Sequence, residues 1–354
     1  MILEGLILHS ISQIREERTI SSIYHLLSGK KSIQTVQDAH IYSLEPLFGV
    51  YKRLDKRFFY EVLEYLLSLR YIQVSSKRES AYLLTKEGES WLHNSRSSLG
   101  LEKLNGLKYH ETGQVFLERL TLFIQTLTNT RNGHFSFIPV VDKPSIEAWV
   151  KSFYQRTRNR EIEMLEEMYK ELYQLLHRLT DEEAGIFTDR LSGYKRYGMS
   201  LDQLANKYSL CTVDVHLRLT TVTHHLMDLV LREPHEFPVL HLFLRDLKGE
   251  HVLSNSAAVT YRLLKNGLDI SQIAVKRNLK ENTIHDHIVE IALHHQDFCI
   301  DIYFNTGEKE EITQAIRKAG SHRLKDIKQL VNDEISYFKI RLLIAREKTI
   351  RNEA

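Results

Sequence analysis

Nine side chains in three short regions have the types and positions expected of groups that contact nucleic acid. Cationic side chains neutralise phosphates, and amide and imidazole groups offer hydrogen bonds to base edges. The nine lie where the pattern of apolar residues is interrupted or where a helix is predicted to begin. They are Lys30, Lys31, Lys77, Arg78, Lys276, Arg277, Lys280, Asn282 and His285. We predict that these residues bind DNA.

The same sequence has no recognisable catalytic motif. The run from Gly29 to Ser32 resembles the end of a phosphate-binding loop, but such a loop needs a glycine where this chain has Tyr24. No DEAD- or DEAH-like run, glycine-rich dinucleotide turn or G-x-S-x-G motif is present. We therefore predict that the protein is not an enzyme, requires no cofactor and has no small-molecule substrate.

Histidine and cysteine do not form a metal-binding pattern either. His285 and His287 are two residues apart, so on a helix they point to different faces and cannot chelate one ion together. No HExxH run or cysteine pair supplies further ligands, and we predict no metal site. The two cysteines, Cys211 and Cys299, are too few for a disulfide framework and are predicted to be buried thiols.

Three short predicted helices position the C-terminal polar group. They span 257–265, 270–277 and 281 onward, and the turn Asn266-Gly267 and a capping Asp269 separate the first two. Apolar residues recur at helical spacing in each segment. This pattern predicts a helix-turn-helix, which can place its last helix in a major groove. The alternative is a plain three-helix packing unit.

The N-terminal cations lie in a different arrangement, between residues 18 and 93. Helices are predicted at 19–27, 32–39 and 55–69, followed by two β-type runs at 70–74 and 81–84 around a polar tip. A last helix begins near Thr85. Helices followed by a hairpin with a basic tip predict a winged helix. Its surface is expected to contact phosphates or, alternatively, to dock a protein.

Two of these segments resemble parts of known proteins. The run Thr283–Ile288 resembles the C-terminal helix-turn-helix of RecQ-family DNA helicases. Gly29-Lys30-Lys31 and the hairpin resemble the winged helix that follows the motor in those enzymes. There the hairpin separates duplex strands, but the tip here has no aromatic residue to stack on a base pair. Length and layout resemble the YpbB-like family of Gram-positive bacteria. The resemblance implies a role beside DNA or a helicase and supplies no activity.

The middle of the chain is predicted to be helical. Residues 97–178 are predicted as a helical spacer, with one helix at 114–128 and two in succession at 145–176. A second helix-turn-helix-like domain is predicted at 179–250, beginning with a capping box at Thr180 and Glu183. Its third helix starts at Thr212. Four positions on that helix are expected to face outward: Asp214, His216, Arg218 and Thr221. The alternative is a packing module without DNA contact.

Bulk composition fits a mainly α, multi-domain protein of 354 residues. The predicted domains are 1–96 (winged helix), 97–178 (spacer), 179–250 (helix-turn-helix-like) and 251–354 (helix-turn-helix with a basic helical tail). The net charge of +2 excludes binding of nucleic acid by bulk charge. Residues 317–351 carry ten basic against four acidic residues, which predicts either phosphate contacts or a solvated helix face. No signal peptide or membrane span is recognised, so a cytoplasmic location without membrane contact is expected.

The third C-terminal helix also carries carboxylates that repel phosphate, Glu281, Asp286 and Glu290. This argues against a sequence-specific repressor. The function that we predict is a non-catalytic accessory protein of DNA repair or recombination, which binds DNA with modest affinity and assists a RecQ-like helicase in trans. The alternatives are a helix-turn-helix transcription regulator and a protein-docking scaffold without DNA affinity.

Overall fold

A computed structural model describes residues 1–158, 160–247 and 253–351, with side chains as far as Arg346. The described residues form helices and one two-stranded antiparallel sheet, which confirms a mainly α fold. The strands are β1 (Ile72–Val74) and β2 (Tyr82–Leu84). The helices are α1 (Ile2–Ile14), α2 (Ile20–Ser28), α3 (Ile33–Ile41), α4 (Lys56–Ser68), α5 (Lys86–Leu99), α6 (Gly106–Tyr109), α7 (Thr112–Arg131), α8 (Pro144–Thr157), α9 (Glu161–Leu176), α10 (Asp181–Arg190), α11 (Leu201–Tyr208), α12 (Thr212–Arg232), α13 (Pro238–Leu242), α14 (Asn255–Lys265), α15 (Ile270–Arg277), α16 (Glu281–His294), α17 (Glu308–Ala319), α18 (Leu324–Lys328) and α19 (Tyr337–Arg351).

The described residues divide into two compact units, and neither is one continuous stretch of chain. The middle unit comprises Met1–Ile7, Gly49–Lys52 and the described part of Glu89–Glu250. The terminal unit comprises Leu8–Phe48, Arg53–Gly88 and the described part of His251–Ala354. The predicted winged helix and the predicted C-terminal helix-turn-helix therefore share one unit. The domain boundaries at 96, 178 and 250 stay predictions, and the last of these lies outside the described residues.

The winged-helix elements form where the sequence predicts them. Helix α2 ends at Gly29, whose φ of 70° is the left-handed conformation that glycine adopts without a steric penalty. Helix α4 begins at Asp55, whose carboxylate accepts the Phe58 N–H at 3.0 Å. Strands β1 and β2 pair antiparallel with Ile72 opposite Leu84. The hairpin is short, with three residues in each strand.

The middle unit is built on α7, as the spacing of its apolar residues predicts. Phe116, Leu120, Phe123 and Leu127 are buried along one face of this helix. They share a core with residues of α8, α9, α12 and α13. The two successive helices predicted after residue 145 are present as α8 and α9. Residues 97–178 contribute to this core, so they do more than space two modules apart.

The second helix-turn-helix-like region has the predicted start but not the predicted outward face. Thr180 and Glu183 form a reciprocal capping box at the start of α10. On α12, however, Asp214 and Thr221 are 5% and 2% exposed, so the outward orientation predicted for them is wrong. The Ile2 N–H donates to the Asp214 carboxylate at 2.7 Å, because the first residues of the chain pack on this helix.

The other two positions predicted to face outward on α12 are partly covered. The ring of His216 lies 5.0 Å from that of Tyr51. The guanidinium of Arg218, only 18% exposed, is 3.5 Å from Glu182. All four positions are engaged within the middle unit. This favours the alternative interpretation of the region as a packing module without DNA contact.

The cysteine prediction is also wrong, because Cys211 and Cys299 are both exposed. Cys211 caps α12, and its sulfur accepts the Asp214 N–H at 3.3 Å. No helix among the described residues is long and apolar enough to cross a lipid bilayer.

We predict that the stability of the middle unit depends on pH through His224. This side chain is buried on α12, accepts the Asn105 N–H at 3.2 Å, and burial lowers its pKa from 6.5 to about 4. The unfolded chain therefore binds a proton that the folded chain refuses, and stability is lost as the pH falls from about 6.5 towards 4. The full loss is about 3 kcal/mol.

Urea unfolding of the wild type and of His224→Gln at pH 7 and pH 5 checks this prediction. The wild type should lose about 2 kcal/mol more than the variant over that interval. Equal losses would show that another group controls the pH dependence.

Candidate nucleic-acid interface

The turn between α2 and α3 presents exposed cations next to the start of α4. Lys30 and Lys31 are exposed there, and Lys56 is exposed in the first turn of α4. Burial lowers the pKa of His25, and the positive charges of Lys30 and Lys56 lower it further, so both ammonium groups act on the same imidazole. We call Lys30, Lys31 and Lys56 the basic turn. The helix dipole adds positive potential at the start of α4, which favours an anion there.

Sequence reasoning missed Lys56. The signal in the sequence was a lysine in the first turn of a predicted helix. A cation there is unfavourable because it opposes the helix dipole, unless something compensates it. Arg57 follows it and pairs with Glu61 at 3.0 Å on the solvent-exposed face of α4.

The tip of the wing is held against the segment between α1 and α2. The Ser75 hydroxyl donates to Glu16 at 2.6 Å, and the Ile20 N–H donates to the Ser80 carbonyl at 2.9 Å. Arg78 donates to the Glu17 carbonyl, and Lys77 pairs with Glu16 at 3.0 Å while remaining 79% exposed. Of the two cations predicted at this tip, Lys77 is therefore the accessible one and Arg78 is engaged in the fold.

The C-terminal helix-turn-helix is present with the predicted elements. Helix α15 begins with a capping box at Asp269 and Gln272 and ends at Asn278 in the left-handed conformation. Helix α16 follows and packs on α14, α15, α19 and α3. Of its 14 residues, all of them described, Glu281 and Asn282 are exposed.

The burial of α16 limits the surface that this helix could present to a groove. A recognition helix must present one long face to base edges. Neighbouring helices cover much of that surface, although the Asp286 side chain in the second turn is still 42% exposed. Placement of α16 in a major groove stays a prediction, and the turn before α16 is the other exposed edge of the module.

The five polar residues predicted in this module fall into two classes. Lys276, Lys280 and Asn282 are exposed. The Arg277 guanidinium donates to the Ser256 carbonyl at 2.8 Å and to other groups of α14, so it ties α15 to α14. His285 is half-buried, and its role in DNA binding stays a prediction.

His285 is covered because α19 packs against α16. Its ring stacks on Phe338 with centroids 4.1 Å apart, and burial lowers its pKa. His287 points elsewhere, with Nδ1 2.9 Å from the Thr260 hydroxyl. The two imidazoles thus lie on different faces of α16, as predicted from their spacing.

The carboxylates of α16 are engaged in contacts within the unit. Glu281 accepts from Ser271 at 2.7 Å, and Glu290 accepts from the Ser254 hydroxyl at 3.0 Å. Asp286 pairs with Arg341 at 2.6 Å. The ion pair therefore neutralises Asp286, one of the three carboxylates that argued against DNA binding. Its partner, Arg341, is also one of the cations that the basic tail was expected to offer to phosphates.

Several cations of the basic C-terminal segment are used inside the terminal unit. Lys328 donates to three main-chain carbonyls, including that of Ile335 at 2.8 Å. Lys339 pairs with Glu308 at 2.6 Å, and Arg346 donates to the His295 carbonyl at 2.8 Å. The side chains of Lys348 and Arg351 lie outside the described residues. Exposed cations remain at Arg317, Lys318 and Lys325.

Helix α19 is a core element that joins the two terminal modules. Ile340, Leu342, Leu343, Ile344 and Ala345 are buried in a core shared with α15, α16 and α17. Ile33 and Ile41 of α3 pack against the same core. Gln37 donates to the Arg341 carbonyl at 3.0 Å, and the Arg341 guanidinium donates back to Gln37 at 3.3 Å. The winged helix and the helix-turn-helix therefore form one composite body.

Substitutions of Arg277 and Lys276 test whether Arg277 stabilises the fold and Lys276 contacts DNA. Arg277→Gln should lower the free energy of unfolding by about 1.5–3 kcal/mol, because it removes charged hydrogen bonds to α14. Lys276→Gln should change it by less than about 0.5 kcal/mol. Urea unfolding checks both values, and DNA titrations should show a reduced salt dependence for Lys276→Gln alone. The reverse pattern would place Arg277 at the interface.

Comparisons with known proteins match the regions of the winged helix and of the C-terminal helix-turn-helix. A helix-turn-helix domain model matches residues 256–344, and an RQC domain model matches residues 6–103. Protein YpbB of Bacillus subtilis (strain 168) is 28% identical over 348 residues, which cover 97% of this chain and 96% of that protein. No solved structure matches. These findings confirm the resemblance to YpbB-like proteins and to the C-terminal domains of RecQ helicases, and they indicate a RecQ-related, DNA-binding protein.

Proposed function

We propose that this RecQ-related chain is a non-catalytic accessory protein that binds DNA and assists a RecQ-like helicase in trans, in DNA repair or recombination. The observation that carries the proposal is the composite terminal unit. It joins a winged helix and a helix-turn-helix of the kinds found behind a RecQ motor, and neither matched domain model is a motor.

Phosphate contact is the mode of DNA binding that the exposed groups support best. The basic turn supplies three cations, and Lys276, Lys280 and Asn282 supply a second small group. Each group alone is a weak site. Two weak contacts on one body raise the effective concentration of the second once the first has formed. Modest, salt-sensitive and largely sequence-independent binding is the expected result.

Strand separation is left to the motor in this proposal. The wing has three-residue strands, a tip held on Glu16 and Glu17, and no aromatic side chain in its tip. A pin that opens a duplex would need to project and to stack on the last base pair. The accessory protein would instead hold the duplex part of a fork while the helicase moves.

A protein-docking scaffold is the second candidate, and the engagement of Arg78, Arg277 and Arg341 favours it. Those cations are used inside the fold and lower the number available to phosphates. A sequence-specific transcription regulator is less well supported, because Glu281 and Asn282 are the exposed residues of α16, which offers few groups to base edges.

Fluorescence anisotropy of the full chain with duplex, forked and single-stranded DNA at two salt concentrations tests DNA binding. The proposal predicts binding that weakens steeply between about 50 and 200 mM salt, with little dependence on sequence. Lys77→Glu is the informative wing variant, since Arg78 is needed by the fold. Absence of binding to all three DNAs would leave the scaffold as the better account.

A further inference from the structure

A short exposed turn in the middle unit has features that neither matched domain explains. Residues 193–197 read Gly-Tyr-Lys-Arg-Tyr, and they lie outside the RQC and helix-turn-helix matches. The Gly193 N–H donates to the Arg196 carbonyl at 2.8 Å, and the Arg196 N–H donates back at 3.1 Å. The Tyr194 N–H donates to the Thr128 hydroxyl of α7 at 3.0 Å. The turn is thus fixed both internally and to a core helix.

Aromatic rings are exposed on and beside this turn. Tyr197 is 88% exposed, and Phe135, in the segment after α7, is 77% exposed. His134 connects the two segments, because its Nε2 is 3.0 Å from the Tyr194 hydroxyl and the two rings are 4.7 Å apart. A cluster of exposed large apolar side chains marks a binding surface more often than a single exposed apolar side chain does.

Cations alternate with these rings. Lys195 is exposed at the tip of the turn, Arg196 is 76% exposed, and Arg131 is exposed at the end of α7. The Arg196 guanidinium also lies 3.7 Å from the buried carboxylate of Asp189, which accepts from Lys207 and Tyr208 as well. An open hollow of about 420 Å³ lies at the base of the turn. It is lined by Ile124, Thr188, Leu191, Ser192, Gly193 and Arg196.

We propose that this surface binds single-stranded nucleic acid by stacking unpaired bases on its rings while its cations contact the phosphates. We call it the aromatic turn and define it as His134, Phe135, Tyr194, Lys195, Arg196 and Tyr197. Aromatic faces accept any base, and interleaved cations follow the backbone, which is the usual chemistry of single-strand binding. A duplex hides its base faces and gains less from such a surface. The inference goes beyond the proposed function and does not depend on a helicase partner.

A second exposed aromatic row in the same unit helps to define what is specific about the aromatic turn. On α9, Tyr169 and Tyr173 are 68% and 59% exposed and stack with centroids 6.1 Å apart. Their helix carries exposed carboxylates at Glu163, Glu166 and Glu167, which repel phosphates. The two surfaces offer similar rings in opposite electrostatic surroundings, so the α9 row is a matched control.

The test compares the full-length wild type with Phe135→Ala/Tyr197→Ala, using fluorescently labelled thymidine and uridine 20-mers and a 20-base-pair duplex. We expect the double variant to bind the preferred single strand at least about tenfold more weakly and to bind the duplex unchanged. Tyr169→Ala/Tyr173→Ala should match the wild type on all three. Phe135→Tyr/Tyr197→Trp should restore single-strand binding, because stacking faces are retained. The preferred 20-mer identifies DNA or RNA as the natural strand.

Equal single-strand affinities for the wild type and the Phe135→Ala/Tyr197→Ala variant would overturn the proposal. So would equal losses in the two aromatic-to-alanine variants, since they would show a nonspecific effect. Failure here is distinguishable from failure of the proposed function, which concerns duplex and fork binding through the basic turn. Both substituted rings are largely exposed, so the variants are expected to fold.

Discussion

Reversing the charge of the basic turn, by Lys30→Glu with Lys31→Glu and Lys56→Glu, is expected to lower the affinity for duplex DNA about a hundredfold or more near 0.1 M salt. The three ammonium groups are exposed, and two of them act on the same imidazole of His25. Each phosphate contact releases about one counterion, so the slope of log affinity against log salt should fall by about three. Anisotropy titrations at several salt concentrations measure both quantities.

A matched charge reversal separates a local site from a general effect of net charge. Lys151→Glu with Lys170→Glu and Arg245→Glu makes the same change in charge at exposed cations of the middle unit. We expect this control to change duplex affinity by less than about threefold. If both triple variants lose affinity equally, the basic turn is not a specific contact and the interface must lie elsewhere.

Ending the chain after Ser336 is expected to unfold the terminal unit. The truncation removes α19, whose buried residues include Ile340, Leu342, Leu343 and Ile344. Burying side chains of this size stabilises a fold by about 1.5–3 kcal/mol each. The sum, about 6–12 kcal/mol, is comparable to the whole stability of a domain. The middle unit should retain its own cooperative transition. Circular dichroism during urea unfolding, together with hydrogen exchange, checks which helices are lost.

Arg317→Ala/Lys318→Ala is the control for the basic character of this segment, because both cations are exposed on α17. It should change stability by less than about 1 kcal/mol. A truncated protein with wild-type stability and weaker DNA binding would contradict our assignment of α19 to the core. It would restore the interpretation of a basic tail that contacts phosphates.

Local structure was largely predictable from the sequence because its signals are local. The left-handed Gly29, the capping boxes at Thr180 and Asp269, and the period of apolar residues on α7 each depend on residues a few positions apart. The winged helix and both helix-turn-helix regions form where these signals predict them.

What could not be predicted is which polar groups the tertiary fold uses. Arg78, Arg277 and Arg341 look like phosphate ligands in the sequence, but their partners lie 61, 21 and 55 residues away. His285 is a candidate base-edge donor in the sequence, but its ring stacks on Phe338 from a helix that begins more than forty residues later. Contacts at such separations leave no trace in local spacing. The nine predicted DNA-binding residues accordingly remain predictions as a set.

The most direct test of the central claim is an unwinding assay with a RecQ-type motor that lacks its own winged helix and C-terminal domain. The substrate is a forked duplex, and the motor is present at limiting concentration with and without this protein. The proposal predicts a several-fold faster unwinding with the wild type and little stimulation with the Lys30→Glu/Lys31→Glu/Lys56→Glu variant. An unwinding rate that is unchanged by the wild-type protein, while that protein still binds the fork, would contradict assistance to a helicase in trans.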